Sequence, residues 1–232
     1  AETQYGGMGA PAIAGLFAFV QMNRACISSA TQLGFYTSMV DMVERFCVEE
    51  DKQRLVPKIV AGEISGSMCL TEPGAGSDVG SVKTSATPQD DGTYLLNGTK
   101  MFITNGGGGF GFVLARIKGA PEGLNGISLF LCEQEVEGKE DLNYTIAKSE
   151  HKIGLHGSFT CEVVYENSVA KLVGKPHKGF QLMLHLMNEA RIAVGLQAIG
   201  GIEATLSYAR NYAEQREQFG KNLMEHPLYA RN

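Results

Sequence analysis

The apolar residues of this chain change their period twice, and that change constrains the fold more than any other feature. From residue 10 to 62 they recur at helical spacing, as in Phe35, Met39, Met42, Val43 and Phe46. From about residue 64 to about 174 the apolar segments are short, β-rich and divided by turns. After Gly179 the helical spacing returns through Phe180, Met183, Leu184, Met187, Ile192, Leu196 and Ile199. Residues 201–217 continue it, with Ile202, Leu206, Ala209 and Tyr212 on one stripe. The expected fold is a multi-domain α and β chain. A helical N-terminal domain spans 1–63, an antiparallel β-barrel or sandwich spans 64–175, and a helical bundle starts over 176–232. Two helices do not bury each other's apolar faces, so further helices are expected to complete the last part.

Local signals refine this order. The acidic run Glu49-Glu50-Asp51 suits a helix N-terminus, where negative charge meets the macrodipole. Pro57 is expected to open a further short turn of helix. Asn97-Gly98, after Tyr94-Leu95-Leu96, carries a hairpin signal. Residues 112–115, 127–131 and 160–165 read as strands.

Composition removes several classes of function. The chain has 232 residues, 44% apolar and 19% charged, with net charge −5, so a real core is available. No Lys/Arg run provides the basic face that nucleic acid or an acidic membrane would need. The longest apolar stretch, Ala10 to Met22, is shorter than the roughly 20 residues of a membrane span and is expected to be a buried helix. No secretion signal is visible, although the first residue is not Met. The cysteines are Cys26, Cys47, Cys69, Cys132 and Cys161. Their odd number and lack of a Cys-x-x-Cys pair point to reduced thiols in a cytoplasmic protein.

Three chemical motifs fall away on inspection. Gly106-Gly107-Gly108-Gly109-Phe110-Gly111 formally matches a dinucleotide fingerprint, but strand-like Phe112-Val113-Leu114-Ala115 follows where a helix is required. A loose hairpin loop is the expectation. His151 and His156 share no helix face and have no third ligand nearby, so no metal site is expected. Ser77 follows a glycine-rich turn but lacks the nucleophile-elbow pattern.

What remains is Met68-Cys-Leu-Thr-Glu-Pro-Gly-Ala-Gly-Ser-Asp78, and the strand Lys100-Met-Phe-Ile-Thr-Asn105 that follows it in sequence. The first offers small hydroxyls and bare backbone N–H groups; the second offers an aromatic and another hydroxyl. Together they suit a flat, polar-edged ring cofactor with a phosphate tail.

These two segments resemble the flavin-binding signature of the acyl-CoA dehydrogenase family. Further motifs follow in the family's order: Tyr5-Gly6-Gly7-x-Gly9, Glu50-x-Lys52-Gln53 to Gly62-Glu63, Lys152-Ile153-Gly154 to Ser158, and Arg216-Glu-Gln-Phe219-Gly220. The His156-Gly157-Ser158 and Asn188-Glu189-Ala190-Arg191 versions look most like the larger bacterial members. The similarity covers nearly the whole chain, as a fragment lacking part of the N-terminal and most of the C-terminal helical domain.

The resemblance implies FAD as cofactor and α,β-dehydrogenation of an acyl-CoA thioester, in fatty acid metabolism. Met68, Leu70 and Thr71 would line the isoalloxazine ring, with Thr71 hydrogen-bonding its polar edge. Gly76 and Ser77 would approach the pyrophosphate and the substrate's thioester tail. Phe102 and Thr104 would cover the ring's other side, with Phe102 replacing the family's usual Trp. Arg216 and Phe219 match residues that reach the flavin of a neighbouring subunit, implying a homodimer or homotetramer. Asn188 and Arg191 match substrate-side positions, and electron-transfer flavoprotein is the implied acceptor. The catalytic base is expected beyond Asn232. In a minority of members it precedes the arginine matched by Arg191, where this chain has Ala190. Glu189 is the substitute candidate, about 100° away around a helix. An acyl-CoA oxidase and a non-catalytic or DNA-associated member of the same superfamily are the alternatives.

Overall fold

The computed structural model describes residues 1–230. Three helices lead, α1 (Ala12–Ala25), α2 (Ile27–Phe46) and α3 (Glu49–Val60). Seven strands follow: β1 (Ser65–Cys69), β2 (Ser85–Pro88), β3 (Tyr94–Thr104), β4 (Gly109–Ile117), β5 (Ile127–Glu133), β6 (Thr145–Ser149) and β7 (Thr160–Val173). A single long helix, α4 (Gly179–Gln215), then leads to a two-strand ribbon, β8 (Glu217–Gln218) and β9 (Lys221–Asn222), and to a final short helix.

The strands close on themselves. β4 pairs with β2, β2 with β3, β3 with β7, β7 with β5, and β5 returns to β4; β1 lies on β4 and β6 on β7. The barrel therefore leaves no edge in its ring. The expected antiparallel order holds except at β4, whose pairings with β1 and β2 are parallel. Parallel neighbours need crossover connections, and β2 and β3 intervene between β1 and β4.

Residue alternation explains how the barrel meets the helices. On β4, Phe110, Phe112 and Leu114 face a core shared with Met39, Met42 and Val43 of α2 and with Met183 and Leu186 of α4. Val113 and Ala115 face the barrel interior with Phe130, Cys161, Val163 and Tyr165. β4 and β5 are thus covered on both faces, which is why they read as unbroken apolar runs. Each fully buried side chain of this size stabilises by roughly 1.5–3 kcal/mol. Buried Asp51 of α3 accepts from Arg54 and Lys171, each at 2.9 Å, and Arg54 also reaches Glu133, so α3 is tied to the barrel.

Four sequence expectations are corrected. Pro57 sits inside α3 rather than opening a new turn; it falls in the last turn, where the helix is already ending. Asn97-Gly98 is not a hairpin turn but lies within β3 opposite a bulge in β7: Leu96 pairs with Ser168 and Gly98 with Tyr165, so Asn97 faces two residues of β7. Gly98 has φ +152, and a Cβ there would lie 2.5 Å from Thr84 Oγ1, so close strand approach requires glycine. The glycine run joins β3 to β4, yet these two strands do not pair, so it is not a hairpin loop. Gly106 within it is buried, and a Cβ there would meet Cys161 Sγ at 2.4 Å. The 10–22 stretch is helical but largely open, with Ile13 and Phe17 59% and 69% exposed. It packs on α4 through Gly200, where a Cβ would come within 2.6 Å of the Val20 carbonyl oxygen.

The apolar stripe of α4 is also open. Ile192, Val194, Ile199, Ile202 and Leu206 are exposed, and a groove of about 690 Å³ runs between Ile27 and Ala209. No helix among the described residues is long and apolar enough to cross a membrane. All five cysteines are unpaired.

Candidate functional site

The turn after β1 is held by a buried ion pair. Glu72 and Ala75 exchange backbone hydrogen bonds of 3.0 and 3.1 Å, which closes Glu72-Pro-Gly-Ala75. The Glu72 carboxylate accepts from Lys100 Nζ at 2.8 Å, from Thr84 Oγ1 at 2.5 Å, and from the backbone N–H groups of Lys83 and Thr84. Lys100 also donates to the Leu70 carbonyl at 3.0 Å and is fully buried. One lysine thus ties β3 to both sides of the Leu70–Glu72 step.

Burial pushes Glu72 up, but the Lys100 ammonium and the Thr84 and Lys83 donors outweigh it and hold the carboxyl below its ordinary value. Burial also pulls Lys100 down, against the pull of Glu72. A carboxyl depressed on folding adds stability that is present above its unfolded value and lost as pH falls through its folded value. Urea unfolding is therefore expected to show Glu72→Gln losing part of the stability drop that the wild type undergoes on acidification below the ordinary carboxylate value. Parallel stability–pH curves for the two proteins would contradict this.

β3 carries a bulge of its own further along. β3 pairs Lys100 with Val163 and Ile103 with Cys161, so Met101 and Phe102 together oppose one residue of β7. Met101 N donates to the Thr71 carbonyl at 2.8 Å, and Phe102 takes φ +59 and stands 61% exposed. A left-handed aromatic is a strained conformation that survives only where its surroundings impose it. Here the Thr71–Met101 bond and the Lys100 anchor impose it. Met68 and Thr71 are half-buried, Leu70 is buried, and Gly76 and Ser77 are exposed. Half-buried Thr104 ends the strand opposite Thr160.

Met68, Leu70, Thr71, Phe102 and Thr104 therefore share one end of the barrel, beside the Gly74-Ala-Gly-Ser77 turn, which is exposed except at buried Ala75. A Cβ at Gly74 would meet nothing within 4 Å, and one at Gly76 only Thr71 Cγ2 at 3.8 Å. Among the described residues the hydroxyls of Thr71, Ser77 and Thr104 engage no protein partner. An open exposed aromatic, free hydroxyls and bare backbone fit a planar ring with an anionic tail.

Arg216 and Phe219 are elsewhere. They belong to the β8–β9 ribbon, whose tip residues Phe219 and Gly220 have φ +54 and +70, the signature of a type I′ turn. Phe219 is 95% exposed, and the ribbon bonds back onto α4 through Asn222 Nδ2 and the Glu214 carbonyl. No hydrogen bond or ion pair joins it to the barrel among the described residues. Asn188 and Arg191 are exposed on α4 and bonded to each other at 2.5 Å.

Glu189 faces α2. Its Oε1 lies 3.4 Å from His185 Nε2, which lies 3.1 Å from Asp41 Oδ2; Arg45 Nε donates to both Asp41 oxygens at 2.7 Å. Burial and then the Asp41 charge push Glu189 above its ordinary value. Asp41 is nine residues along α2 from Gln32, which contacts the end of β3, so about 13 Å of helix rise separates the two contacts. Glu189 thus belongs to a carboxylate–imidazole–guanidinium cluster rather than to the Thr71–Phe102 end.

Sequence reading missed Glu72, Lys100 and Asn105 as site-builders. Lys100 occupies an inward position of β3, in step with Leu96, and a lysine on an apolar strand face was the available signal.

Residues 1–63, 67–168 and 177–232 match the models of the acyl-CoA dehydrogenase N-terminal, middle and C-terminal domains. An acyl-CoA dehydrogenase of Bacillus subtilis is 37% identical over 224 residues, covering 95% of this chain and 58% of the relative. The butyryl-CoA dehydrogenase structure from Megasphaera elsdenii superposes with TM-score 0.91 at 34% identity, over 99% of this chain and 60% of that one. An acyl-CoA dehydrogenase from Bacillus anthracis, solved in complex with FAD, superposes with TM-score 0.88 at 28% identity, over 99% and 38%. The chain thus spans a little over half the length of the first two.

Proposed function

The chain belongs to the acyl-CoA dehydrogenase family, and from that premise we propose that it forms the flavin wall and part of the thioester pocket of an FAD-dependent acyl-CoA dehydrogenase. The observation that carries this reading is the bulge in β3, which turns Phe102 outward beside Thr71. The FAD-bound Bacillus anthracis relative supports the choice of cofactor. FAD would supply the hydride acceptor for the substrate's β-hydrogen.

Each residue then has a binding or orienting task. Met68, Leu70 and Thr71 line the isoalloxazine, with the Thr71 hydroxyl at its polar edge. Phe102 and Thr104 cover the ring, an aromatic face suited to stacking. Gly76 and Ser77 let the backbone approach the pyrophosphate and the thioester tail. Asn188 and Arg191 face the substrate, and Arg216 with Phe219 reach the flavin of a second copy in a homo-oligomer, where an Arg pairs bidentately with phosphate. Their position on an exposed ribbon, away from this chain's own flavin wall, supports that role.

A carboxylate must remove the α-proton. Ala190 has no acid group, and Glu189 is committed to His185 and Asp41, so we assign the base to a residue outside 1–232. Electron-transfer flavoprotein is the proposed acceptor, as membership of the family implies.

In the intact protein, acyl-CoAs of graded length added anaerobically are expected to bleach the flavin absorbance. Bound FAD that no thioester bleaches would rule the dehydrogenase reading out.

A further inference from the structure

We propose that Gln32 is a positioning residue for the cofactor strand, holding through Asn105 the left-handed turn that ends β3 just beyond Thr104; the inference rests on the flavin reading above. Asn105 is 6% exposed and has φ +60. Its N–H donates to the Phe159 carbonyl at 2.8 Å, and its carbonyl accepts from Gly108 N at 3.0 Å. Its side chain spans two elements: Nδ2 donates to the Gly66 carbonyl of β1 at 2.9 Å, and Oδ1 accepts from Gln32 Nε2 of α2.

Asparagine tolerates the left-handed region better than most residues, but tolerance does not select it. The side-chain bonds do the selecting. Because Nδ2 faces a carbonyl, Oδ1 must meet a donor, and only the Nε2 end of Gln32 supplies one. The Gln32 amide is therefore fixed in one orientation, and its Oε1 is left buried without a partner among the described residues. A buried acceptor left unpaired is costly, and an apolar side chain would pack there without that cost. The glutamine stands at a place where its donor specifies the turn.

That turn sits next to the residues assigned to the flavin. Thr104 precedes Asn105, and Phe102 lies two residues further back on the same bulged segment. Beside Gln32, Thr31 Oγ1 accepts from Gln197 Nε2 of α4 at 2.5 Å. One end of α2 thus links α4, six residues beyond Arg191, to the strand that carries Phe102 and Thr104.

The test uses Gln32→Glu and Asn105→Gly in the full chain, with FAD as probe. FAD affinity is read by quenching of flavin fluorescence at pH 5.5 and 8, with circular dichroism confirming the fold. A carboxylate at position 32 repels Asn105 Oδ1, whereas a carboxylic acid donates to it. Gln32→Glu is expected to weaken FAD binding roughly tenfold at pH 8, the scale of one buried hydrogen bond, and by less at pH 5.5, where burial and the facing Asn105 Oδ1 leave more of the carboxyl protonated. Asn105→Gly keeps the positive φ and loses both side-chain bonds, so it should weaken binding at both pH values. Wild-type affinity in either folded variant at pH 8 would overturn the positioning role alone. A wild-type chain that binds no FAD would overturn the flavin reading and this inference together.

Discussion

Replacing Lys100 with Met is expected to destabilise the chain by about 3 kcal/mol or more, because it leaves the Glu72 charge buried without its cation. The donors from Thr84 and Lys83 remain, but they are dipoles and were part of the balance that kept Glu72 ionised. The Leu70 carbonyl also loses its donor at 3.0 Å. Adding Glu72→Gln to Lys100→Met should recover part of the loss. The amide oxygen still accepts from Thr84, and no charge is left stranded. Urea unfolding of the two variants reads this directly. A double variant no more stable than Lys100→Met would show that charge burial is not what the pair controls.

Gly179→Ala is expected to have a comparable or larger effect through sterics alone. Gly179 begins α4 against the edge of β5, and a Cβ there would lie 2.2 Å from the Ser128 carbonyl carbon and 2.3 Å from Leu129 N. Those are backbone atoms in a strand buried on both faces, so neither can move aside by changing rotamer. The joint is reinforced by His177 N, which donates to buried Ser128 Oγ at 2.9 Å. α4 must lift off the barrel or β5 must shift, and about 3 kcal/mol or more is the scale of such an overpacked core site. Thermal unfolding of the variant should show a lower midpoint. A midpoint equal to that of the wild type would mean the helix start is not seated as described.

The coarse fold was legible because burial on one face writes a period into the sequence. α2 and the first half of α4 announced themselves this way, and β4 and β5 as unbroken apolar runs. The failures share a physical cause, which is that a local signal does not name its tertiary partner. Asn-Gly at 97–98 reports a backbone tolerant of unusual φ, which a hairpin and a close strand approach both use; here the glycine admits Thr84 and the chain continues as one strand. Ala10–Met22 is apolar all round, which reads as burial, yet its Ile13 and Phe17 meet no described residue that covers them. The flavin-side residues Thr71, Phe102 and Thr104 could be picked from residue type and motif. Glu72 could not, and the inward Lys100 signals a buried charge without naming its partner, since the two stand 28 residues apart and the fold brings them together.

The central claim is that Phe102, turned out by the β3 bulge, lies against the flavin ring. The chain contains no tryptophan, so Phe102→Trp places a single indole at that position and makes its emission a local reporter. Titrated with FAD, the emission of this variant should fall almost completely and in proportion to FAD bound, by contact with the ring. Emission unchanged at saturating FAD would contradict the placement of the flavin on this wall.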